Sequence, residues 1–176
     1  SMQNPPPANK SAVFTRFMIA AIVLARAVVG AHAESPPSAK SILDATGVKG
    51  GLIVHLGCGD GKLTAAFRAG EAFVVHGLDR NAKNIAAARR HIRSLDLYGK
   101  ASVDTLSGDG LPYTDNLVNL LVASTTGGVD KAEILRVLVP HGVAYLREDD
   151  GWSKIVKPRP ANIDEWTHFL HGPDNN

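Results

Sequence analysis

Between residues 50 and 147 the chain alternates short apolar runs with segments of helical periodicity, and this alternation leaves few folds open. Leu-Ile-Val-His-Leu at 52–56 reads as a buried strand, and helices are predicted over 62–69, closed by Gly70, and over 81–97. In the second helix Ile85, Ala88, Ile92 and Leu95 recur at helical spacing with basic residues between them, and Gly99 lies just beyond. Further strands are predicted at 72–78, 101–106, 117–123 and 143–147, with a helix over 129–138 ended by Pro140 and Gly142. A short helix over 39–46, stopping at Gly47, precedes the series. Strands apolar throughout need cover on both faces. Their regular alternation with helices therefore predicts an α/β fold with a doubly wound, mostly parallel sheet. Such sheets bind ligands outside the carboxyl ends of their strands.

Composition narrows the function classes. The 176 residues suit one domain with appendages, and 44% hydrophobic content with 20% charged residues describes a globular chain. The net charge of +2 is carried by the amino terminus, where residues 1–33 hold Lys10, Arg16 and Arg26 and no acid. The remainder has 16 basic and 17 acidic residues, a net charge of −1, so no nucleic-acid partner is expected. Cys58 is the single cysteine, which excludes an intrachain disulfide.

Lys10 and Arg16 precede the apolar run 17–25, and Ala31-His32-Ala33 supplies an A-x-A site, together the pattern of a secretory signal peptide cleaved before Glu34. Arg26 interrupts the run, which leaves open an amphipathic terminal helix on a cytosolic protein and argues against a permanent span. The expected location is the periplasm or cell envelope, with no stable membrane span after cleavage. The predicted organisation is a signal peptide at 1–33, a linker at 34–40, an α/β domain at 41–150 and an extension at 151–176.

The turn after the first strand is Gly57-Cys58-Gly59-Asp60-Gly61. Glycines there let the backbone turn sharply and approach a ligand without a Cβ between them. The spacing is G-x-G-x-G, whereas a dinucleotide fingerprint is G-x-G-x-x-G, so the loop points to a nucleoside without a pyrophosphate. The second predicted strand leads into Asp79, 18 residues beyond Gly61, where a carboxylate is placed to accept hydrogen bonds from ribose hydroxyls. The competing reading of Asp79 is an acid at the start of the next helix.

These runs resemble the motifs of class I S-adenosylmethionine (SAM) methyltransferases, in that family's order, over residues 40–150. The stretch Leu52-Ile53-Val54-His55-Leu56-Gly57-Cys58-Gly59-Asp60-Gly61 is similar to the first motif, and Val75-His76-Gly77-Leu78-Asp79 to the second. Ser107-Gly108-Asp109-Gly110 is similar to the segment whose acid meets the adenine amine, and 111–122 and 133–143 to the fourth-strand and fifth-strand regions. The resemblance implies a Rossmann-like fold in which Gly57, Gly59 and Gly61 line the methionine and ribose part of SAM. It further implies that Asp79 holds the ribose and that Asp109 with Gly110 holds the adenine. Two departures stand out. His55 occupies the place of an acid that commonly helps anchor the methionine ammonium, and Asn119 stands where the fourth strand often begins with aspartate.

Methyl transfer from an activated sulfonium needs positioning more than acid–base machinery. The run Ser124-Thr125-Thr126-Gly127-Gly128 reads as a loop or helix cap, so no catalytic residue is nominated and the methyl acceptor is unidentified. Past Asp150 too few residues remain for the family's full carboxyl end, and 152–157 reads as one strand. The run Ile163-Asp164-Glu165-Trp166-Thr167-His168-Phe169-Leu170-His171 resembles the entry segment of envelope PQQ-type β-propeller proteins and implies a propeller partner beyond it. His168 and His171 have helical spacing, but two histidines so spaced read as surface or packing residues more readily than as ligands, so no metal is expected. Three readings follow: a SAM-dependent methyltransferase, a non-catalytic docking module of the same fold, and, disfavoured by the glycine spacing, an NAD-dependent oxidoreductase.

Overall fold

The computed structural model describes residues 37–68, 70–149 and 151–159. The signal-peptide pattern and the propeller-like tail with His168 and His171 lie outside the described residues.

Helix α1 (Ala39–Thr46) is capped by Ser38, whose side chain accepts the Ser41 N–H, and ends at Gly47 in the left-handed region. Strand β1 (Gly51–Leu56) leads through the glycine loop into α2 (Lys62–Ala66), then β2 (Phe73–Asp79) and α3 (Ala82–Ser94). Strand β3 (Ala101–Thr105), β4 (Val118–Ala123), α4 (Lys131–Val137), β5 (Leu138–Glu148) and β6 (Gly151–Val156) complete the series. The sheet order is β3-β2-β1-β4-β5-β6. Strands β1 to β5 pair in parallel, and β6 pairs antiparallel with β5. The predicted fold class is therefore the observed one.

Strand order steps outward from β1 to β3 on one side and resumes at β4 on the other. The switch point lies between β1 and β4, where the two following loops diverge and open a crevice. One apolar layer packs Ile42, Phe67, Ile85 and Ile92 against Ile53, Val75, Leu120 and Val122. The opposite layer packs Ile134 and Val137 against Val54, Leu121 and Leu138. Side chains buried this completely each contribute about 1.5–3 kcal/mol relative to exposure.

Several boundaries differ from the sequence reading. Helix α2 stops at Ala66, with Phe67 turned into the core as its cap residue. Helix α3 starts after Asn81, whose side chain caps it by accepting the Lys83 N–H, and ends at Ser94. Leu95 keeps the helical spacing but is exposed, because Asp96 takes a positive φ and ends the element. Helix α4 gives way to β5 at Leu138, earlier than expected. Between its pairings with Val118 and Leu120, β5 bulges through Pro140, His141 and Gly142, so the proline falls where the ladder is interrupted. Beyond Asp150 the sheet continues, since β6 takes the edge beside β5.

The connection from β3 to β4 has no helix. It is held to α4 by Glu133, which accepts the Leu111 N–H at 2.7 Å and pairs with Arg136, itself bonded to Asp115. Tyr113 holds the same connection to β2 through a 2.7 Å hydrogen bond between its hydroxyl and His76 Nδ1. Asn119 has a structural task at the other end of the sheet. Its Oδ1 accepts the Leu52 N–H at 2.9 Å and secures the start of β1. On the outer strand β3, Arg89 donates from Nε and Nη2 to the Val103 carbonyl and from Nη2 to Asp104.

Candidate functional site

The loop after β1 is drawn against β2 by two hydrogen bonds, from the Gly57 and Cys58 N–H groups to the Leu78 carbonyl. This leaves Gly59 beside the last residue of β2, Asp79. The Asp79 carboxylate is buried and accepts from the Gly59 N–H and Asn84 Nδ2 through Oδ2, both at 3.0 Å. Its Oδ1 accepts the Asn81 N–H at 2.8 Å. The residue therefore tops β2 and holds the N–H of Asn81, the residue that caps α3.

A cleft of about 350 Å³ opens here, lined by Gly57, Gly59, Asp79, Arg80, Asn84 and Leu106, and across from them by Thr125, Thr126 and Gly127. It lies at the carboxyl ends of β1, β2 and β4, next to the switch point. Gly59 has φ +54, and a Cβ built on it meets nothing within 4 Å, so the backbone presents a bare face to open space.

Of the six residues nominated from sequence, Gly57, Gly59 and Asp79 line this cleft. Gly61 sits behind it. A Cβ there would lie 2.7 Å from the Ala88 Cβ, so this glycine lets α2 start against α3. Asp109 and Gly110 are outside the lining, and the Asp109 side chain is 90% exposed. What connects their segment to the cleft is Arg80. Its Nη2 donates to the Gly108 carbonyl at 2.7 Å and approaches Asp109 Oδ1 at 3.4 Å, while its Nε donates to the Gly127 carbonyl at 2.6 Å. One guanidinium thus ties the loops after β3 and β4 together at the rim.

Arg80, Asn84 and Leu106, together with Thr125 and Thr126, were not read from sequence as lining residues. An arginine directly after the β2 acid was the available signal for the first. Asn84 enters on the first turn of α3, and the others become neighbours through sheet register.

His55 points away from the cleft. It is buried, its Nδ1 lies 2.8 Å from Thr64 Oγ1, and its ring packs edge-on against Phe67. Its Nε2 has no protein partner among the described residues. Burial holds the imidazole neutral and pushes its pKa down to about 4, despite the nearby Asp79 charge. Because the unfolded chain takes up a proton near pH 6.5, the stability His55 contributes is fully present above that pH. It is lost as pH falls from about 6.5 towards 4, by about 3 kcal/mol in all. His76, also lowered by burial, acts in the same direction. Urea unfolding between pH 7.5 and 4.5 should show this decline, and His55→Asn should flatten it; an unchanged slope in that variant would remove His55 as the cause. Cys58 is buried, and its thiol is pushed up to about 12, chiefly by desolvation, so it is unreactive at neutral pH.

Sheet order, switch-point cleft and glycine loop together define a class I methyltransferase-like α/β domain. Residues 53–142, just over half of the chain, match the Methyltransferase domain family, and the chain belongs to that family. It is 28% identical over 146 residues to the demethylmenaquinone methyltransferase of Lactobacillus johnsonii, covering 69% of this chain and 60% of that protein. Its fold is similar to that of geranyl diphosphate methyltransferase solved in complex with SAM, with a TM-score of 0.55, 20% identity and coverage of 61% and 46% of the two chains. It is similar also to the [4+2]-cyclase SpnF, with a TM-score of 0.55, 23% identity and coverage of 73% and 48%. The chain thus spans about half to three-fifths of the length of these relatives.

Proposed function

We infer that the cleft binds SAM and its product S-adenosylhomocysteine, and that the domain transfers the methyl group to an acceptor still to be identified. The observation that carries this reading is the pairing of Asp79 with the Gly59 backbone inside one cleft at the switch point. The residues fit the ligand in a specific way. Gly59 offers an uncovered backbone, Asp79 a carboxylate for hydroxyl donors, and Leu106 and Arg80 an apolar and a planar wall. The cofactor, when bound, supplies an activated methyl group; the chain's own residues orient it and exclude water from one side. Asp109 and Gly110 would meet the adenine from the rim, where Arg80 already holds the adjoining carbonyl. Calorimetric titration with SAM and S-adenosylhomocysteine tests the reading: micromolar binding is expected, and a folded protein that releases no heat with either would sink it.

A second reading, a non-catalytic docking module with the same fold, draws on His55. The residue in the family's acid position is a neutral histidine packed into the core, so it offers no charge to an ammonium group. An assay of methyl transfer from labelled SAM to candidate acceptors separates the two, because a docking module binds the nucleoside or nothing and yields no methylated product. Export to the periplasm or cell envelope through residues 1–33, and a β-propeller partner, are proposals supported by the charge and apolar pattern and by the 163–171 run. Among the described residues no helix is long and apolar enough to cross a membrane.

A further inference from the structure

Charge is spread unevenly over this chain. Residues 81–100, which hold α3 and the turn after it, carry five lysines and arginines and one acid, Asp96. The rest of the chain past residue 33 carries 11 basic and 16 acidic residues, so +4 on this one segment stands against −5 elsewhere. No acid lies within α3 itself.

The helix turns Ile85, Ala88 and Ile92 into the core, and this fixes what its opposite side presents. Lys83 and Arg90 are seven residues apart, two turns of helix, and stand in line on that outer side with Arg93 flanking them. All three are exposed. Arg89 is paired with Asp104, whereas among the described residues no carboxylate pairs with Lys83, Arg90 or Arg93. Arg90 and Arg93 at i, i+3 repel one another, and a helix face that serves only solvation ordinarily intersperses acids to offset this. The ridge ends in apolar surface: Leu95 is 49% exposed and Tyr98 62%. Arg93 sits over the Tyr98 ring, 5.2 Å from its centroid, so the last cation and the ring form one unit.

We propose that the outer face of α3, with the turn through Leu95 and Tyr98, is a docking surface for a membrane of anionic lipid, on which the domain rests without crossing it. Charge complementarity names the class. A line of unpaired cations fits a plane of phosphates, and each adds about fivefold to partition at an anionic surface. The exposed leucine and tyrosine decide for lipid over an acidic protein or a nucleic acid, because a headgroup layer accepts an apolar side chain and an aromatic ring alongside the cations. Lys83 adjoins Asn84 of the cleft lining, so a membrane under α3 lies beside the rim of the cleft. The surface is independent of which ligand the cleft holds.

The test is sedimentation of the whole chain with vesicles of phosphatidylcholine alone and of phosphatidylcholine mixed with phosphatidylglycerol. Two variants accompany the wild type: Lys83→Gln/Arg90→Gln/Arg93→Gln and Leu95→Ser/Tyr98→Ser. Thermal unfolding establishes that each is folded, and Arg90→Gln or Tyr98→Ser alone replaces a variant that is not. The wild type is expected to bind the mixed vesicles at least about tenfold more strongly than the neutral ones, and to weaken as salt is raised. The charge variant should lose about a hundredfold, three cations at about fivefold each, and the apolar variant about tenfold. Residues 1–33 are unchanged in all three proteins, so binding that they alone cause would persist in the charge variant. That result, or equal binding of the wild type to neutral and mixed vesicles, would overturn the inference. Soluble polyglutamate is titrated in parallel. Binding to it as tight as to the vesicles, with neither moved by Leu95→Ser/Tyr98→Ser, would assign the ridge to acidic proteins and overturn the lipid docking.

Discussion

Asp79→Ala is expected to abolish measurable binding of S-adenosylhomocysteine and to lower the stability of the domain by about 3 kcal/mol. Both effects follow from the same carboxylate. Three protein donors converge on it, and hydrogen bonds to a charged acceptor contribute about 1.5–3 kcal/mol each. The sum is not reached, because the donors border an open cleft where water replaces part of what is lost. The loss of binding has two sources: the hydroxyl acceptor is gone, and the Gly59 N–H no longer fixes the loop after β1. Thermal unfolding and calorimetry on the same preparation separate these outcomes. A folded variant that binds within threefold of wild type would remove Asp79 from the ligand site and leave it as a bracket for the turn into α3.

Alanine at Gly61 and alanine at Gly59 should produce opposite results, although the residues are two apart in one loop. Gly61 has φ +80, a region that costs an L-residue roughly 1–2 kcal/mol. Its new Cβ would also sit 2.7 Å from the Ala88 Cβ and 2.8 Å from the Ala88 Cα, which belongs to a helix backbone and cannot swing away. Overpacking of this kind costs a further 1–3 kcal/mol or so. Gly61→Ala should therefore lose about 3 kcal/mol of stability, while its folded fraction binds ligand nearly as before. Gly59→Ala places its Cβ in open space, so its stability cost is confined to the strained backbone. There the methyl group occupies the ligand's approach, and affinity should fall more than tenfold. Denaturant unfolding and titration of the two variants give a crossed pattern if the assignment is right. Two variants impaired alike in both measurements would refute it.

Much of this architecture was legible in the chain because each strand carries its own punctuation. Gly47 ends α1, Asn81 caps α3, and β1 and β4 are runs of apolar residues too short for anything but buried strands. The site was legible where it is built from consecutive residues, as at Gly57 and Gly59, or from the tip of a strand, as at Asp79. It was illegible where register decides. Thr125 faces Gly57 because β4 lies beside β1, a pairing that local periodicity does not encode. Gly61 was read as a ligand contact because glycine serves a turn, a close ligand and a close helix equally well, and Ala88 chooses the last of these. The end of α4 was missed for a related reason: Leu138 continues the helical apolar pattern and is buried with Ile134 and Val137, but it does so as the first residue of β5.

The outer strands of this sheet also bear on how the protein behaves in concentrated solution. β3 has one strand neighbour, so alternate peptide groups face outward and could accept a strand from another copy. Arg89 fills one such position itself, by bonding the Val103 carbonyl from within the same molecule, and it brings a positive charge to the strand. At the opposite edge, β6 runs against the direction of the other five and carries Lys154, whose ammonium is drawn back to the Ala45 and Thr46 carbonyls. Among the described residues, each outer strand is thus accompanied by a cation folded onto its own chain, and charge at an edge discourages pairing with a second sheet.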